Sequence, residues 1–398
     1  MPKIGKDIKG KKINKIKSNH KTKMKDSSLI STYNYFEKLL EHLNGDTNKI
    51  FSGELVLPRQ LEIHLPGNRV VPCNFNCSFC EGRFLIKTLS HYEEKAIKLV
   101  RELSGRIPFI ILGGIYSEPL LNPFALEIIK ETKKSGSFFG IHTNGSLLKR
   151  LEESKGFIKK ICEISTSPED YVSISLDAGT PHTHRLVKGT VISHFNEIIE
   201  GIRMISETRK ENSPTIRVTY LINDDNSSEE DIGSIVKIAK NLKIDSLRFS
   251  IPYEAFGKDF SDLKKYKEEF EDSKSDFYEK RLKPYLSKNE DERPYIFYMP
   301  PIYQAIDKMN FNKCVMGYYQ ITMGTDGYLY RCSSTASQSF SFNRLGKIPD
   351  NFDDFKEMIR KNQDKDFNPR ECFNAGARCD RIGLMINYSW SNLKQGDK

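Results

Sequence analysis

The segment that decides the fold is residues 60–80, which read QLEIHLPGNRVVPCNFNCSFC. Its first six residues, QLEIHL, alternate between polar and apolar side chains, which is the period of a half-buried strand. A loop then carries Cys73, Cys77 and Cys80 in the pattern Cys-x3-Cys-x2-Cys. Three thiols within eight residues cannot all pair with one another, so the loop predicts metal binding rather than a disulfide framework.

The strand at residues 60–65 opens a repeated alternation of strands and helices. Five further strands are predicted at residues 108–112, 138–143, 171–176, 215–222 and 246–251. Helical patterns occur between them and later in the chain, at residues 91–103, 125–134, 192–208 and 351–361. Six strand–helix units in series predict a parallel sheet with both faces covered, which is an α/β fold of the partial TIM-like (β/α)6 barrel type. In such a barrel the chemistry is expected at the carboxyl ends of the strands, where the cysteine loop lies.

The remaining segments differ from this core in composition. A hairpin is predicted where residues 320–323 and 328–331 flank a Gly-Thr-Asp-Gly turn. The predicted organisation is a basic, disordered tail at 1–27, an N-terminal helical segment at 28–57, the barrel core at 58–259, a helical linker at 260–310 and a small C-terminal α+β domain at 311–398. The last domain has few apolar residues, so a metal site would help to stabilise it.

The composition restricts the classes of function. The chain has 398 residues, of which 38% are hydrophobic and 29% charged, a balance typical of a globular protein. Its net charge of +9 comes from residues 1–25, which contain ten lysines and one aspartate. The charges of the other residues cancel, so we expect no nucleic acid as a partner. Apolar runs are too short to span a membrane and no signal-peptide pattern follows the basic start, so we expect a cytoplasmic protein without a membrane partner.

The three cysteines of the loop are one ligand short of a closed metal site. A structural zinc ion takes four ligands in tetrahedral geometry, so zinc would need a distant fourth residue such as His64. A 4Fe–4S cluster held by three cysteines instead leaves one iron open to bind a small molecule. The spacing alone is compatible with both interpretations.

Three further loop sequences favour the cluster, because together with the cysteine loop they resemble the radical S-adenosylmethionine (SAM) superfamily. Residues 113–120, GGIYSEPL, are similar to the glycine-rich segment of that family, although the family often has glycine where this chain has Ser117. Residues 143–145, TNG, and 173–179, SISLDAG, are similar to further family motifs. The resemblance extends over roughly residues 58–253 and implies a partial barrel of six strand–helix units.

The resemblance also implies a mechanism and a set of site residues. Cys73, Cys77 and Cys80 would hold a catalytic 4Fe–4S cluster whose open iron binds SAM. An electron from a reductant such as flavodoxin or ferredoxin would split SAM, and the 5'-deoxyadenosyl radical would remove a hydrogen atom from the substrate. The implied SAM contacts are Phe79 beside the adenine, Gly114 and Glu118 at the methionine amino group, Asn144, Ser175 and Asp177 at the ribose or carboxylate, and Arg217 at the carboxylate.

A second set of cysteines lies near the C-terminus and comprises Cys314, Cys332, Cys372 and Cys379. Four thiolates on a hairpin and a later loop can close either a zinc site or a fully ligated 4Fe–4S cluster. Their sequence context resembles the twitch or SPASM extension of radical SAM enzymes, which favours iron and implies one auxiliary 4Fe–4S cluster in a C-terminal iron–sulfur domain. The family usually ends this motif with Cys-x2-Cys, whereas this chain has Cys-x6-Cys.

Three interpretations of the function follow. The leading one is a radical SAM oxidoreductase or epimerase that abstracts hydrogen from a small polar substrate such as a sugar or aminocyclitol. The alternative is a radical SAM maturase that modifies a ribosomally made peptide. The third is a zinc-stabilised protein that binds nucleic acid through its basic tail. Cys162 belongs to neither cysteine set and is expected to be a packed core residue, with a hydrogen-donor role in epimerisation as the alternative.

Overall fold

The computed structural model describes residues 46–80, 86, 88–115, 117–250, 278–299, 314–363, 367, 371–372 and 387. The predicted tail at 1–27, most of the predicted N-terminal helical segment and Cys379 lie outside the described residues. No helix in the described ranges combines the length and the hydrophobicity that crossing a bilayer requires.

One ten-stranded sheet forms the centre of the described chain. Its strands are β1 (Gln60–His64), β2 (Phe109–Gly113), β3 (Phe138–Thr143), β4 (Tyr171–Ser175), β5 (Thr215–Leu221), β6 (Ser246–Ser250), β7 (Tyr295–Met299), β8 (Gln320–Met323), β9 (Tyr328–Tyr330) and β10 (Arg344–Lys347). Their order is β10-β9-β8-β1-β2-β3-β4-β5-β6-β7, and every neighbouring pair from β8 to β7 is parallel. The predicted α/β fold with a mostly parallel sheet is confirmed, and β1 to β6 are the six strands predicted from the sequence.

Four strands extend the sheet beyond the six predicted units, with β7 at one edge and β8, β9 and β10 at the other. β7 lies within residues 260–310, for which the sequence predicts a helical linker, and it pairs in parallel with β6. β8 is the first strand of the predicted C-terminal hairpin, and it pairs in parallel with β1, with Gln320 opposite Gln60. The hairpin of β8 and β9 is therefore continuous with the barrel sheet.

Helices connect the parallel strands. They are α1 (Thr47–Ser52), α2 (Glu93–Leu103), α3 (Ala125–Lys134), α4 (Leu148–Lys155), α5 (Phe157–Ile164), α6 (Pro181–Lys188), α7 (Ser193–Thr208), α8 (Glu229–Asn241), α9 (Met316–Tyr319) and α10 (Phe352–Gln363). Local sequence explains several of their ends. The Thr180 side chain accepts a hydrogen bond from the Thr183 amide at the start of α6, and left-handed glycines end α4 and α6.

The main hydrophobic core lies between the sheet and these helices. Leu61 and Ile63 of β1 are fully buried in it, together with Leu99 and Leu103 of α2. Burial of each such side chain stabilises the fold by about 1.5–3 kcal/mol. Because side chains alternate along a strand, the even-numbered residues of β1 lie on the opposite face of the sheet.

That opposite face is polar and lines the inside of the partial barrel. It carries Glu62 on β1, His142 on β3, Arg217 on β5 and Arg248 on β6, and we call the space between these four side chains the lumen. Enclosure by protein lowers the pKa of His142 to about 4, a shift that Glu62 opposes and that Arg248 and Arg217 increase. Charged groups from three other strands thus act on one imidazole of β3, which is consistent with a curved sheet.

The C-terminal elements pack against the start of the described chain. The side chain of Gln363 on α10 donates to the Val56 carbonyl (2.6 Å) and accepts from the Val56 amide (3.2 Å). Val56 belongs to a second, smaller hydrophobic cluster with Ile50, Val315, Met316 and Tyr318. Residues on either side of the barrel core in sequence are therefore joined in the fold.

Candidate active site

The cysteine loop, residues 73–80, follows β1 and is held by the carboxyl end of helix α6. The amide of Asn76 donates to the carbonyl of Lys188 (3.1 Å), and the amide of Ser78 donates to the carbonyl of Val187 (3.0 Å). These bonds join positions more than 100 residues apart, so local sequence does not reveal them. These two hydrogen bonds hold the cysteine loop at a fixed position next to the end of α6.

A glycine allows this close approach. A Cβ atom at Gly189 would stand 2.2 Å from the carbonyl oxygen of Asn76, well inside van der Waals contact. Gly189 also has a φ of +57°, a left-handed conformation that other residues adopt only with strain. The residue after α6 therefore has to be glycine for the cysteine loop to take this position.

The environment of Cys73 suits a metal-bound thiolate. The amide of Phe75 donates to the Cys73 sulfur at 3.5 Å, and the side-chain amide of Asn144 does so at 3.8 Å. Burial, together with the charge of Glu118, raises the pKa of the Cys73 thiol to about 12. N–H groups aimed at sulfur are the contacts through which proteins stabilise cluster ligands. This donor set fits an iron–sulfur cluster.

The three thiols of the loop lie within electrostatic range of one another. Cys77 and Cys80 both raise the pKa of Cys73, and all three side chains are half-buried. In the part of the chain that the structure describes, no three His, Cys, Asp or Glu side chains close on a single ion position. The assignment of the three cysteines as cluster ligands stays a prediction.

Glu118 connects the loops after β1, β2 and β3. Its carboxylate is 2% exposed and accepts hydrogen bonds from the Leu120 amide (3.0 Å), the Thr143 hydroxyl (2.7 Å) and the Asn144 amide (2.7 Å). Its own amide donates to the Pro72 carbonyl (2.8 Å). Burial raises the pKa of Glu118, although these hydrogen bonds oppose the increase. Glu118 thus braces three strand-end loops, and its contact with SAM stays a prediction.

Asn144 and Gly114 also have structural reasons for their identity. The Asn144 side chain donates to Asn74 (2.9 Å) and accepts from the Ser146 amide (3.0 Å), which ties the loop after β3 to the cysteine loop. At Gly114, a Cβ atom would stand 2.3 Å from the Ser117 hydroxyl oxygen. The turn after β2 therefore excludes a side chain at position 114.

The other predicted SAM contacts lie on neighbouring elements. Phe79 is half-buried at the end of the cysteine loop. Ser175 at the end of β4 accepts a hydrogen bond from the Thr219 hydroxyl (3.3 Å), and the Arg217 guanidinium lies 3.8 Å from the centre of the Tyr171 ring. Ser175 and Arg217 are both half-buried, so part of each side chain is accessible. Their roles at SAM stay predictions.

Asp177 occupies a different environment from the one that the family resemblance implies. It is fully buried, one carboxylate oxygen pairs with the Lys188 ammonium, and the other accepts from the Leu221 amide (2.7 Å). Its φ of 55° is left-handed, which aspartate tolerates better than most residues. Both carboxylate oxygens therefore have protein partners. Sequence reasoning misses Lys188, because a lysine at a helix end usually indicates only a favourable helix terminus.

The lumen has an accessible imidazole beside a buried acidic network. The side chain of His142 is exposed although β3 is a central strand, and its Nε2 lies 2.8 Å from the Tyr171 hydroxyl. Glu62 accepts hydrogen bonds from His64 (2.8 Å) and Gln320 (2.6 Å). The imidazole of His142 is therefore accessible although it lies in the middle of the sheet.

Three of the four C-terminal cysteines are described, and all three lie within electrostatic range of Arg331. Burial lowers the pKa of Arg331, and Cys314, Cys372 and Cys332 all oppose that shift. Side-chain amides donate to two of the sulfurs, Asn343 to Cys372 at 3.4 Å and Asn387 to Cys314 at 3.5 Å. These donors suit metal-bound thiolates. The auxiliary cluster itself stays a prediction, and its fourth predicted ligand, Cys379, lies outside the described residues.

Cys162 is remote from both cysteine sets. It is 7% exposed and belongs to the main hydrophobic core on α5. Burial raises its pKa to about 12, and the nearby charge of Arg209 opposes this. Arg209 precedes β5, so Cys162 lies at the amino-terminal end of the sheet, opposite the cysteine loop. This confirms the prediction of a packed core residue.

Comparison with known proteins supports the interpretation of the cysteine loop. Residues 70–239 match the model of the Radical SAM superfamily. An S-adenosylmethionine-dependent nucleotide dehydratase from Flammeovirga pacifica is 29% identical over 169 residues, which cover 39% of this chain and 52% of that protein. A tungsten-containing aldehyde ferredoxin oxidoreductase cofactor-modifying protein from Pyrococcus furiosus is 24% identical over 191 residues, or 45% of this chain and 48% of that protein. The chain thus spans about half the length of the curated relatives it matches.

Solved structures show more distant similarity. Streptococcus suis SuiB is 16% identical, with a TM-score of 0.49 over 75% of this chain and 66% of SuiB. The structure of anSMEcpe with bound AdoMet is 16% identical, with a TM-score of 0.47 over 86% of this chain and 100% of that chain. The family model agrees with the superfamily predicted from the loop motifs, whose members are enzymes that use SAM and a 4Fe–4S cluster. Residues 70–239 of the chain are therefore similar to the Radical SAM superfamily.

Proposed function

We propose that this protein is a radical SAM enzyme that abstracts a hydrogen atom from a small polar substrate held in the lumen. One observation carries the proposal: hydrogen bonds from residues 72–78 tie the cysteine loop to the loops after β2 and β3 and to the end of α6. Three half-buried thiols are thereby held at the carboxyl end of a parallel barrel, where active sites of such folds lie. A 4Fe–4S cluster on these thiols supplies the radical chemistry once SAM and an electron are provided.

The residues of the chain would bind and orient the reactants. Cys73, Cys77 and Cys80 would hold the cluster, and Glu118 would keep the surrounding loops in register. Phe79, Gly114 and Asn144 border the loop where SAM would bind. Ser175 and Arg217 lie further along the same rim, and Arg217 carries the positive charge that a carboxylate group would need. Hydrogen abstraction requires the substrate within about 3–3.5 Å of the attacking carbon, so the lumen must fit it closely.

The lining of the lumen supports a polar substrate. Arg217 is half-buried and His142 is accessible, so polar side chains of the lumen can be reached by a bound molecule. The nucleotide dehydratase of Flammeovirga pacifica acts, by its name, on a small polar metabolite of this kind. We therefore propose a sugar, an aminocyclitol or a nucleotide as the substrate, with dehydrogenation or epimerisation as the net reaction.

A second cluster is part of this proposal. Cys314, Cys332 and Cys372, completed by Cys379, would hold an auxiliary 4Fe–4S cluster. The amide donors at two of the sulfurs support ligation. Such a cluster could accept the electron that a substrate radical releases during dehydrogenation.

The test is SAM cleavage after anaerobic reconstitution with iron and sulfide and reduction with dithionite or flavodoxin. We expect the parent protein to form 5'-deoxyadenosine and Cys77→Ala to form none. Cys332→Ala is expected to leave some cleavage that is uncoupled from substrate. Cys162→Ala is the matched control, because it removes a thiol far from both cysteine sets and should cleave SAM like the parent. Equal rates for Cys77→Ala and the parent would exclude the proposed site.

Substrate classes can be separated with the same assay. We expect sugars, aminocyclitols or nucleotides to increase the rate of SAM cleavage, and a substrate deuterated at the reacting carbon to transfer its deuterium to 5'-deoxyadenosine. SuiB and anSMEcpe have been crystallised with peptides, SuiA and Cp18Cys. If only peptides stimulate cleavage, the peptide maturase replaces the small-molecule enzyme as the proposed function.

A further inference from the structure

A lysine beneath the cysteine loop is buried in a way that neither the sequence motifs nor the family resemblance explains. Lys188, the last residue of α6, is 2% exposed. Its ammonium group pairs with Asp177 and lies 5.5 Å from the centre of the Phe79 ring. A buried ion pair of this kind contributes little net stability compared with apolar side chains of the same volume. Its presence at this position therefore points to another role.

Lys188 contacts the cysteine loop through both its backbone and its side chain. Its carbonyl accepts the hydrogen bond from the Asn76 amide (3.1 Å). Its ammonium group lies under Phe79, the residue between Ser78 and Cys80. One residue thus fixes the middle of the loop and places a positive charge under its end.

The charge of the ion pair is oriented toward the thiols. Burial raises the pKa of Cys77 to about 11, and the charge of Lys188 opposes this more strongly than that of Asp177 increases it. Burial alone would lower the pKa of Lys188, but Asp177, Cys77 and Cys73 raise it. The ammonium lies against Phe79 of the cysteine loop, whereas the carboxylate accepts a hydrogen bond from the Leu221 amide at the end of β5, so the cation is the member of the pair on the side of the thiols.

We propose that Lys188 is a positioning residue that sets the reduction potential of the cluster on Cys73, Cys77 and Cys80, and that Asp177 moderates its effect. The inference rests on the proposed function, since it requires a cluster at these cysteines. Each electron added to a thiolate-bound cluster increases its negative charge, and a fixed cation nearby stabilises the reduced form. Lys188 would make the cluster easier to reduce, and the Asp177 carboxylate would make it harder.

The test compares two variants that break the same ion pair from opposite sides. Lys188→Met removes the cation, and Asp177→Asn removes the anion while keeping a side chain that accepts the Leu221 hydrogen bond and tolerates the left-handed φ. Each reconstituted protein is assayed for iron and sulfide, and its cluster is titrated by EPR spectroscopy. At a fixed potential we expect the ratio of reduced to oxidised cluster to fall about tenfold in Lys188→Met, equivalent to about 59 mV for a one-electron couple. In Asp177→Asn the ratio should rise.

The opposite signs separate an electrostatic role from a structural one. Damage to the loop is common to both variants and would move both potentials in the same direction, so that result would overturn the inference, as would two unchanged potentials. If Lys188→Met loses its iron, the Asp177→Asn variant alone tests the proposal. An unchanged or lower ratio of reduced to oxidised cluster in Asp177→Asn would contradict it. A parent protein that binds no iron at these cysteines would instead contradict the proposed function.

The chain offers a matched control at the other end of β4. Lys133 pairs with the buried Asp170 (2.9 Å) and lies 5.2 Å from the centre of the Phe138 ring, so it repeats the Lys–Asp–Phe arrangement of Lys188. Asp170 precedes β4, whereas Asp177 follows it. Lys133→Met should leave the potential of the cluster unchanged. A shift equal to that of Lys188→Met would show that any lost ion pair has this effect and would refute the specific role.

Discussion

Substitution of Gly189 by alanine tests whether α6 fixes the position of the cysteine loop. The new Cβ atom would overlap the Asn76 carbonyl oxygen at 2.2 Å, and the residue would keep a φ of +57°. The left-handed conformation costs about 1–2 kcal/mol. Overlap with backbone, which cannot rotate away as a side chain can, adds about 1–3 kcal/mol. We therefore expect Gly189→Ala to lower the free energy of unfolding by about 2–5 kcal/mol.

Gly156 provides the control for the conformational part of this cost. It follows α4 with a φ of +60°, and a Cβ atom there would meet nothing within 4 Å. Gly156→Ala should therefore lose only about 1–2 kcal/mol. The assay is urea denaturation of both variants, followed by iron analysis after reconstitution. Only Gly189→Ala should also lose iron. Equal destabilisation and equal iron content in the two variants would refute the reasoning.

Three further predictions concern single buried side chains. Glu118→Ala leaves three buried donors without their acceptor, so we expect a loss of about 3 kcal/mol or more in urea denaturation, together with loss of iron. For Glu62, burial alone would raise the pKa, but the hydrogen bond and charge of His64 lower it below 4.5. Its contribution to stability is then present above pH 4.5 and lost as pH falls, so Glu62→Gln should weaken the decline in unfolding free energy on acidification. The pKa of Cys162, raised to about 12 from 9.0, predicts alkylation by iodoacetamide at pH 8 at least about 100-fold slower than that of free cysteine.

The sequence predicts much of the sheet because the barrel strands have distinct local patterns. β3 matches its prediction at both ends, and the other five core strands agree within one or two residues. β7 is harder to recognise, because its five residues, YIFYM, lie in a charged stretch for which the sequence predicts a helical linker. The pairing of β8 with β1 joins residues 260 positions apart, and local periodicity carries no information about such contacts.

In the candidate site, too, the sequence predicts the features that are encoded locally and misses those that depend on long-range contacts. Spacing and motif similarity identify Cys73, Cys77 and Cys80, since ligand sets of this kind are encoded within one short loop. Lys188 and Gly189 are missed because their importance comes from contacts with a loop about 110 residues earlier. For Asp177 the motif predicts a position near the cysteine loop, but its burial and its ion pair with Lys188 depend on the packing of α6 and β5. Sequence patterns thus find the ligands more readily than the residues that surround them.

The pairing of β8 with β1 has a practical consequence for work with fragments. A polypeptide that stops before residue 314 would leave the backbone amides and carbonyls of one side of Gln60–His64 open to solvent or to other chains. Bare strand edges of this sort recruit strands from neighbouring molecules and promote aggregation. β1, the strand that leads into the cysteine loop, would then be an exposed, aggregation-prone edge strand of the fragment. Recombinant fragments that contain residues 70–239 should therefore retain the C-terminal hairpin.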